Sequence, residues 1–532
     1  MIRRRHFLGL SLAIFSIILY ADTSSAGPSS AAQPPQQAGD PAGRVPLAEA
    51  VKVLEPRDVW QNFLELTRVP RPSRHEEKVR GFLVRFGNDL GLETIVDGAG
   101  NVIIRKPPTK GMENRKGVIL QAHMDMVPQK AAGKLHDFVK DPIHAYVEGE
   151  WVKADGTTLG ADDGIGIAMA LAVLQSKTLA AGPIDVLFTV NEEDGLDGVQ
   201  GLMPGILKGD ILINLDSEVE GEFTIGSAGG EYANIQSTYP EAALPAGMAG
   251  YRLTVHGLKG GHSGLDIHLG RGHAVKLLVR FLKGASRGYG LRLAEFDSGT
   301  AANAIPREAS ALVCIPKNRE NEFFKGVRDY EGILRKELGA VETNLSVTSS
   351  PSDLPARVMD EKAQRDLLDA LYGSPQGVMR MSDVVAGLVE TSTNIGIVHA
   401  RDGKLEVACL TRSSVDTSID DVGAMLSSVW ELAGTEVRLS RRYPGWRPNP
   451  ASPIVRLMAN VYGELYGKEV GVVAVHAGLE CSTIGAKYPG LDIVSIGPTM
   501  KDVHSPDEML FIPSVKKVAG LLTETLKRIP ER

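Results

Sequence analysis

Hydrophobic and polar residues follow two rhythms along this chain. From Pro46 onward helical and strand-like stretches alternate. "VWQNFLELTRV" and "SRHEEKVRGFLVRFGNDLG" place apolar residues at helical spacing and predict two amphipathic helices. Ser73 and Glu76 stand at capping-box spacing, which makes His75 a solvated first-turn residue. Three short apolar runs follow: "GVILQAHMDM" (117–126), "IDVLFTVNEE" (184–193) and "DILINLDSE" (210–218). Each predicts a buried strand ending in a histidine or an acid. In open α/β sheets ligands gather beyond the carboxyl ends of the strands, so three such endings point to one site. Between the first two lies "TLGADDGIGIAMALAVLQ" (158–175), an apolar helix opened by an aspartate pair.

From about residue 246 to 436 the strands alternate apolar and polar positions instead of running solidly apolar. That predicts an antiparallel sheet with one face covered by helices, inserted between residues 46–245 and 437–532. A chain of 532 residues exceeds one typical hydrophobic core, in keeping with at least two domains.

Composition adds limits. With 43% hydrophobic and 23% charged residues the chain has ample core, and its net charge of −7 gives no basic footprint for nucleic acid. Cys314, Cys409 and Cys481 are few, odd in number and widely spaced, so they read as buried small apolar residues. The start, "MIRRRHFLGLSLAIFSIILYA", joins a basic segment to a short apolar run and leads to Ser24-Ser25-Ala26, the pattern of an export signal cleaved near Ala26. Arg4-Arg5-His6-Phe7-Leu8 also resembles a twin-arginine motif. Residues 27–45 read as a disordered spacer. The expectation is a periplasmic or extracellular protein with no membrane attachment after cleavage, an uncleaved anchor being the alternative.

The chemistry lies at the strand ends. His123, Asp125, Asp162, Glu192, Glu193 and Asp216 follow in quick succession. Asp162 or Asp163 alone would be an ordinary helix N-cap. Gathered together, so many carboxylates would repel unless a cation neutralised them, and a divalent metal is the simplest remedy. Glu192 and Glu193 are adjacent, and neighbours in an extended chain face opposite ways, so the two should have different jobs.

"AHMDMVPQK", "LGADDGIGIA", "TVNEEDGLDG", "LINLDSEVEG", "GLKGGHSGLDIH", "NAIPRE", "HAGLECSTIG" and "GPTMKDVHSPDE" resemble, in order, the motifs of the aminoacyl-histidine dipeptidases. These are co-catalytic zinc peptidases related to carboxypeptidase G and aminoacylase. The resemblance runs from about residue 55 to the end. It implies an α/β catalytic domain, a mixed sheet flanked by helices, with an inserted α+β lid. It implies two divalent ions, zinc first and manganese or cobalt as alternatives, and hydrolysis of dipeptides by a hydroxide shared between them. Asp162 would bridge the ions, with His123 and Asp216 on one and Glu193 and His504 on the other. Glu192 would move protons, and Asp125 would steady the His123 ring. The lid would supply His262 to the oxyanion, while Asn303 and Arg412 would hold the substrate carbonyl and carboxylate. A homodimer through the lid is a further implication. An amidohydrolase acting on N-acyl or N-carbamoyl amino acids and a non-catalytic metal-dependent binder remain as alternatives. His136, His144, His256, His273 and His399 read as solvated or core residues.

Overall fold

The three apolar runs that end in His or acid become strands of one sheet: Val118–His123, Ile184–Thr189 and Ile211–Asn214. In the computed structural model, which describes residues 43–532, Arg44–Arg532 form one compact unit. The first and second of these strands are parallel neighbours, and the first also pairs in parallel with the third. Their carboxyl ends therefore share one edge. The full sheet has eight strands, extended by Asp492–Ser495, Glu222–Ser227 and Gly471–Val475 on one side and by Val102–Lys106 and Glu93–Val96 on the other. Strand residues alternate between two cores, as the period of two requires. Val118, Leu120 and Ala122 pack into the larger core, whereas Ile119 joins a smaller one with Leu187, Leu212 and Ile484.

Helix Ala161–Gln175 packs under this sheet and is apolar nearly all round, as a fully enclosed helix must be. The two expected amphipathic helices form at Arg57–Thr67 and Glu77–Asp89. A small sheet ties the start of the described chain to its end. Val45–Pro46 pairs with Ala145–Glu148, which pairs with Trp151–Ala154, and that strand pairs with Met509–Phe511. Arg44 stacks over Tyr146 at 4.3 Å, so the last residues of the expected spacer, Arg44 and Val45, are ordered partners of the fold. The expected signal segment, residues 1–26, lies outside the described residues. Among the described residues no helix is long and apolar enough to cross a membrane.

The second sheet is antiparallel throughout and has nine strands, including Met248–His256, Ala309–Pro316, Val389–Arg401 and Lys404–Ser413. Helices Ala274–Tyr289, Glu320–Leu338, Glu361–Gly373 and Asp416–Leu432 cover it through a shared core that holds Leu278, Phe323, Leu367 and Val422. It also takes in Gly229–Thr238 and Arg438–Tyr443, strands on either side of the 246–436 insertion read from the sequence. Cys314, Cys409 and Cys481 are free and buried, as expected.

Candidate dinuclear metal centre

His123 closes its strand with no solvent exposure. Its Nε2 lies 2.9 Å from Asp162 Oδ1 and 3.3 Å from Asp216 Oδ1, while its Nδ1 faces Asp125 Oδ1 at 3.5 Å. The other Asp162 oxygen is 3.0 Å from His504 Nε2, which is also 3.0 Å from Glu193 Oε1. Three overlapping donor groups result: His123 with Asp162 and Asp216, Asp162 with Glu193 and His504, and His123 with Glu192 and Glu193. The first two share Asp162.

Asp162 sits just inside Ala161–Gln175 with non-helical dihedrals, so its side chain leaves the helix direction and turns to the strand ends. Asp163 does what an isolated aspartate would do, accepting the Gly166 N–H at 3.1 Å as a cap. The turn before the pair is held from both sides. Glu508 accepts the N–H groups of Leu159, Gly160 and Ala161 at 2.7, 3.0 and 2.7 Å. Arg71 donates to the carbonyls of Met124, Asp125 and Gly160. Gly160 is required there: its φ is +69°, and a Cβ would come within 2.8 Å of the Arg71 guanidinium and the Met126 sulfur. His504 lies in the turn between Met500–Lys501 and Met509–Phe511, the same hairpin that carries Glu508.

The paired glutamates are aimed by their backbone. Asn191, at φ 50°, breaks the extended chain. The N–H of Glu192 then donates to Asp125 Oδ1 at 3.0 Å and that of Glu193 to Asp125 Oδ2 at 3.3 Å. Ser73 donates its hydroxyl to the same carboxylate at 2.7 Å, and Glu76 accepts the Asn191 N–H at 3.1 Å. The capping box read at Ser73 and Glu76 is therefore corrected. The helix starts at Glu77 without a side-chain cap, because both residues serve buried partners, where a hydrogen bond counts for more than at an exposed helix end. His75 is exposed, as expected.

Charge at this site is heavily one-sided. Burial and the neighbouring carboxylates push the Asp216, Asp163 and Glu192 carboxyls well above their usual range. Burial acts on Asp162 in the same sense, but hydrogen bonds from His123 and His504 outweigh it and hold that carboxyl far below. The hydrogen bond to Asp162 and the close Glu193 carboxylate raise His504 to about 11. A resident dication suits this donor set. Glu193 Oε1 is buried beside His504 Nε2 without being aligned to accept from it, and His123 Nε2 is directed at two carboxylate oxygens at once. Crowded atoms of this kind could hold a cation.

The lid-derived residues occupy a separate cluster. His262 Nδ1 accepts the N–H groups of Gly264 and Leu265 at 3.2 and 3.0 Å, and its Nε2 is 3.4 Å from Arg412. Burial and Arg412 hold its pKa below the ordinary value. Arg412 is buried within Lys404–Ser413 and donates to Tyr443 Oη at 3.0 Å. Asn303 has an exposed side chain, and its carbonyl accepts the Ser263 N–H at 2.8 Å. Several residues escaped the sequence reading. Glu480, fully buried inside "HAGLECSTIG", accepts from Gln121 at 2.6 Å and Thr189 at 2.7 Å, in the strands that carry His123 and lead to Glu192. His476, four residues earlier, bonds Ser392 at 2.7 Å. Arg71 lacked any local signal, and Glu508, although it closes the motif "GPTMKDVHSPDE", was assigned no role, since the partners of both lie far away in sequence.

Donor groups that share one carboxylate, where the carboxyl ends of three parallel strands meet in a mixed sheet, fit a dinuclear metallohydrolase. Residues 119–528 match the model of peptidase family M20/M25/M40, and the chain belongs to that family. It is 46% identical over 479 residues to the cytosol non-specific dipeptidase of Escherichia coli (strain K12), covering 90% of this chain and 99% of that one. The crystal structure of aminoacylhistidine dipeptidase from Vibrio alginolyticus matches at 46% identity with a TM-score of 0.86, covering 91% of this chain and 98% of that one. A tripeptidase structure from Staphylococcus aureus, 15% identical with a TM-score of 0.51 over 90% of this chain, shares the fold. The resemblance read from the motifs is thus borne out, as is the α/β fold with its α+β insertion, and the chain is a metallopeptidase. The expected export is corrected. The Escherichia coli relative, matched along nearly its whole length, is by name a cytosolic protein. A basic start before a short apolar run is a low-information pattern and does not outweigh that match.

Proposed function

We propose that this protein hydrolyses dipeptides, Xaa-His or a broader set, at a pair of divalent ions. Asp162 would be shared by both ions, His123 and Asp216 would hold one, and Glu193 and His504 the other. The carrying observation is that shared carboxylate, with one oxygen 2.9 Å from His123 Nε2 and the other 3.0 Å from His504 Nε2. Zinc suits such His and carboxylate donors, manganese and cobalt being the alternatives, and the ions would supply Lewis acidity and an ionisable water near neutral pH.

The chain's own residues do the rest. Glu192 accepts the proton of the attacking water and passes it to the departing amine. Its backbone is fixed by Asp125, while its carboxylate accepts no hydrogen bond among the described residues, which leaves it free for this task. Asp125 also faces His123 Nδ1 and keeps the opposite nitrogen on the metal side. His262 accepts backbone N–H groups at Nδ1, which favours the tautomer with its proton on Nε2; in that form it donates to the developing oxyanion once the Arg412 guanidinium, 3.4 Å from Nε2, turns to the substrate. Arg412 receives the substrate carboxylate and Asn303 its carbonyl. The division into a catalytic part, residues 46–245 and 437–532, and a lid, residues 246–436, belongs to the same proposal. So does a homodimer through the lid, since the hydrogen-bond partners of His262 within its own chain are loop and lid residues.

A dipeptide panel with and without a chelator tests this reading. Chelation should abolish turnover, and added zinc, manganese or cobalt should restore it. Cleavage of N-acyl amino acids without dipeptide turnover would make the protein an amidohydrolase, and metal-dependent binding without turnover of either would make it a binder.

A further inference from the structure

We infer that Glu342 is a positioning residue for His262, an inference that rests on the oxyanion role proposed above. His262 lies within the glycine-rich segment from Gly257 to His273, which links strand Met248–His256 to helix Ala274–Tyr289. Only a short bridge, Gly261–His262 against Ala304–Ile305, gives this segment any strand pairing. Left to itself, such a loop would sample many conformations.

Glu342 closes the loop at its base. The residue is 1% exposed, Oε2 accepts the Lys259 N–H at 2.8 Å, and Oε1 accepts the Gly272 N–H at 2.8 Å. One carboxylate thus pins the entry and the exit of the loop. The neighbouring chain is equally close: at Gly257, φ +77°, a Cβ would stand 2.0 Å from the Asn344 carbonyl oxygen. A second tie lies inside the first. Asp266 accepts the His262 N–H at 2.9 Å and pairs with Arg271 at 3.1 Å, while Arg271 donates to the Gly260 carbonyl at 2.5 Å. The inner tie fixes His262 relative to its loop, and Glu342 fixes the loop relative to the lid.

A buried carboxylate is a costly way to hold two segments together if adhesion alone is needed, because apolar contacts would do as well. What it adds is direction. Two acceptor oxygens of one rigid group set the register of both loop ends, and a donor to a developing charge works only when held in its productive geometry.

Glu342→Gln keeps the shape but turns an NH2 group against one of the two N–H donors. It should lower kcat about 10–100-fold, the cost of misplacing a catalytic group, with KM and metal content nearly unchanged. The same substitution in a His262→Ala background should change kcat no further, since residues acting as a unit are non-additive. An equal loss of kcat in both backgrounds would make Glu342 a stability residue and overturn the inference. So would a normal kcat for Glu342→Gln beside an impaired His262→Ala. A normal kcat for His262→Ala sinks the role of that histidine itself, a separate outcome. Should the glutamine variant not fold, Glu342→Asp, which keeps the charge but has a shorter reach, is measured in its place. Failure of both to fold would make the residue part of the lid core and overturn the inference.

Discussion

Replacing Asp125 by Asn perturbs the point where the metal centre and the glutamate pair meet. Asp125 is fully buried; its two oxygens accept from the Ser73 hydroxyl and the N–H groups of Glu192 and Glu193, and Oδ1 faces His123 Nδ1 at 3.5 Å. Burial alone would raise its pKa, but these hydrogen bonds outweigh it and hold the carboxyl below its ordinary value. An amide has one acceptor oxygen. With that oxygen on the His123 and Glu192 side, the NH2 group faces the Glu193 N–H, and Ser73 can rotate to accept. One buried N–H then lacks a partner, a cost of about 1–3 kcal/mol. The imidazole also loses its anionic partner, which should weaken the metal bound at His123 about 10–100-fold, or ~1.4–2.8 kcal/mol. Chelator competition would read the affinity. Thermal unfolding with and without metal would read the rest: at a fixed saturating metal concentration, a 100-fold weaker site removes about 2.7 kcal/mol of stabilisation. Unchanged metal affinity together with unchanged stability of the metal-free variant would refute this account of Asp125.

Two further outcomes are expected. Glu192→Gln should keep both metals and lose about 10²–10⁴ in rate, whereas Glu193→Gln should lose metal; metal analysis showing the opposite pattern would exchange their roles. His273, buried and bonded to the Ile395 carbonyl, has its pKa lowered to about 3 by burial and by Lys276, from an ordinary 6.5. Its folded value lies below its unfolded value, so its contribution is complete above about pH 6.5 and is lost as pH falls toward 3, by up to about 1.4 kcal/mol per pH unit. Urea unfolding at pH 7 and pH 5 should show a flatter pH dependence for His273→Gln than for the unaltered chain, and equal slopes would contradict this.

The sequence alone determined the strands and what each one delivers. Val118–His123, Ile184–Thr189 and Ile211–Asn214 are solid apolar runs because parallel strands are covered on both faces, and an acid or histidine at the end of such a run has nowhere to go but the sheet edge. The aspartate pair before an apolar helix was legible for the same reason, as were the free, buried cysteines. Tertiary structure alone decided which group holds which. Glu508 grips the turn before Asp162 from more than three hundred residues away, and Glu480 reaches Gln121 and Thr189 over a similar span. Ser73 and Glu76 carry a perfectly good local capping pattern that the fold overrides in favour of Asp125 and Asn191. Hydrophobic periodicity is written in neighbouring residues, because burial is a property of one face of one element. A buried carboxylate finds its donors only after the elements have packed, and those partners leave no local trace in the sequence.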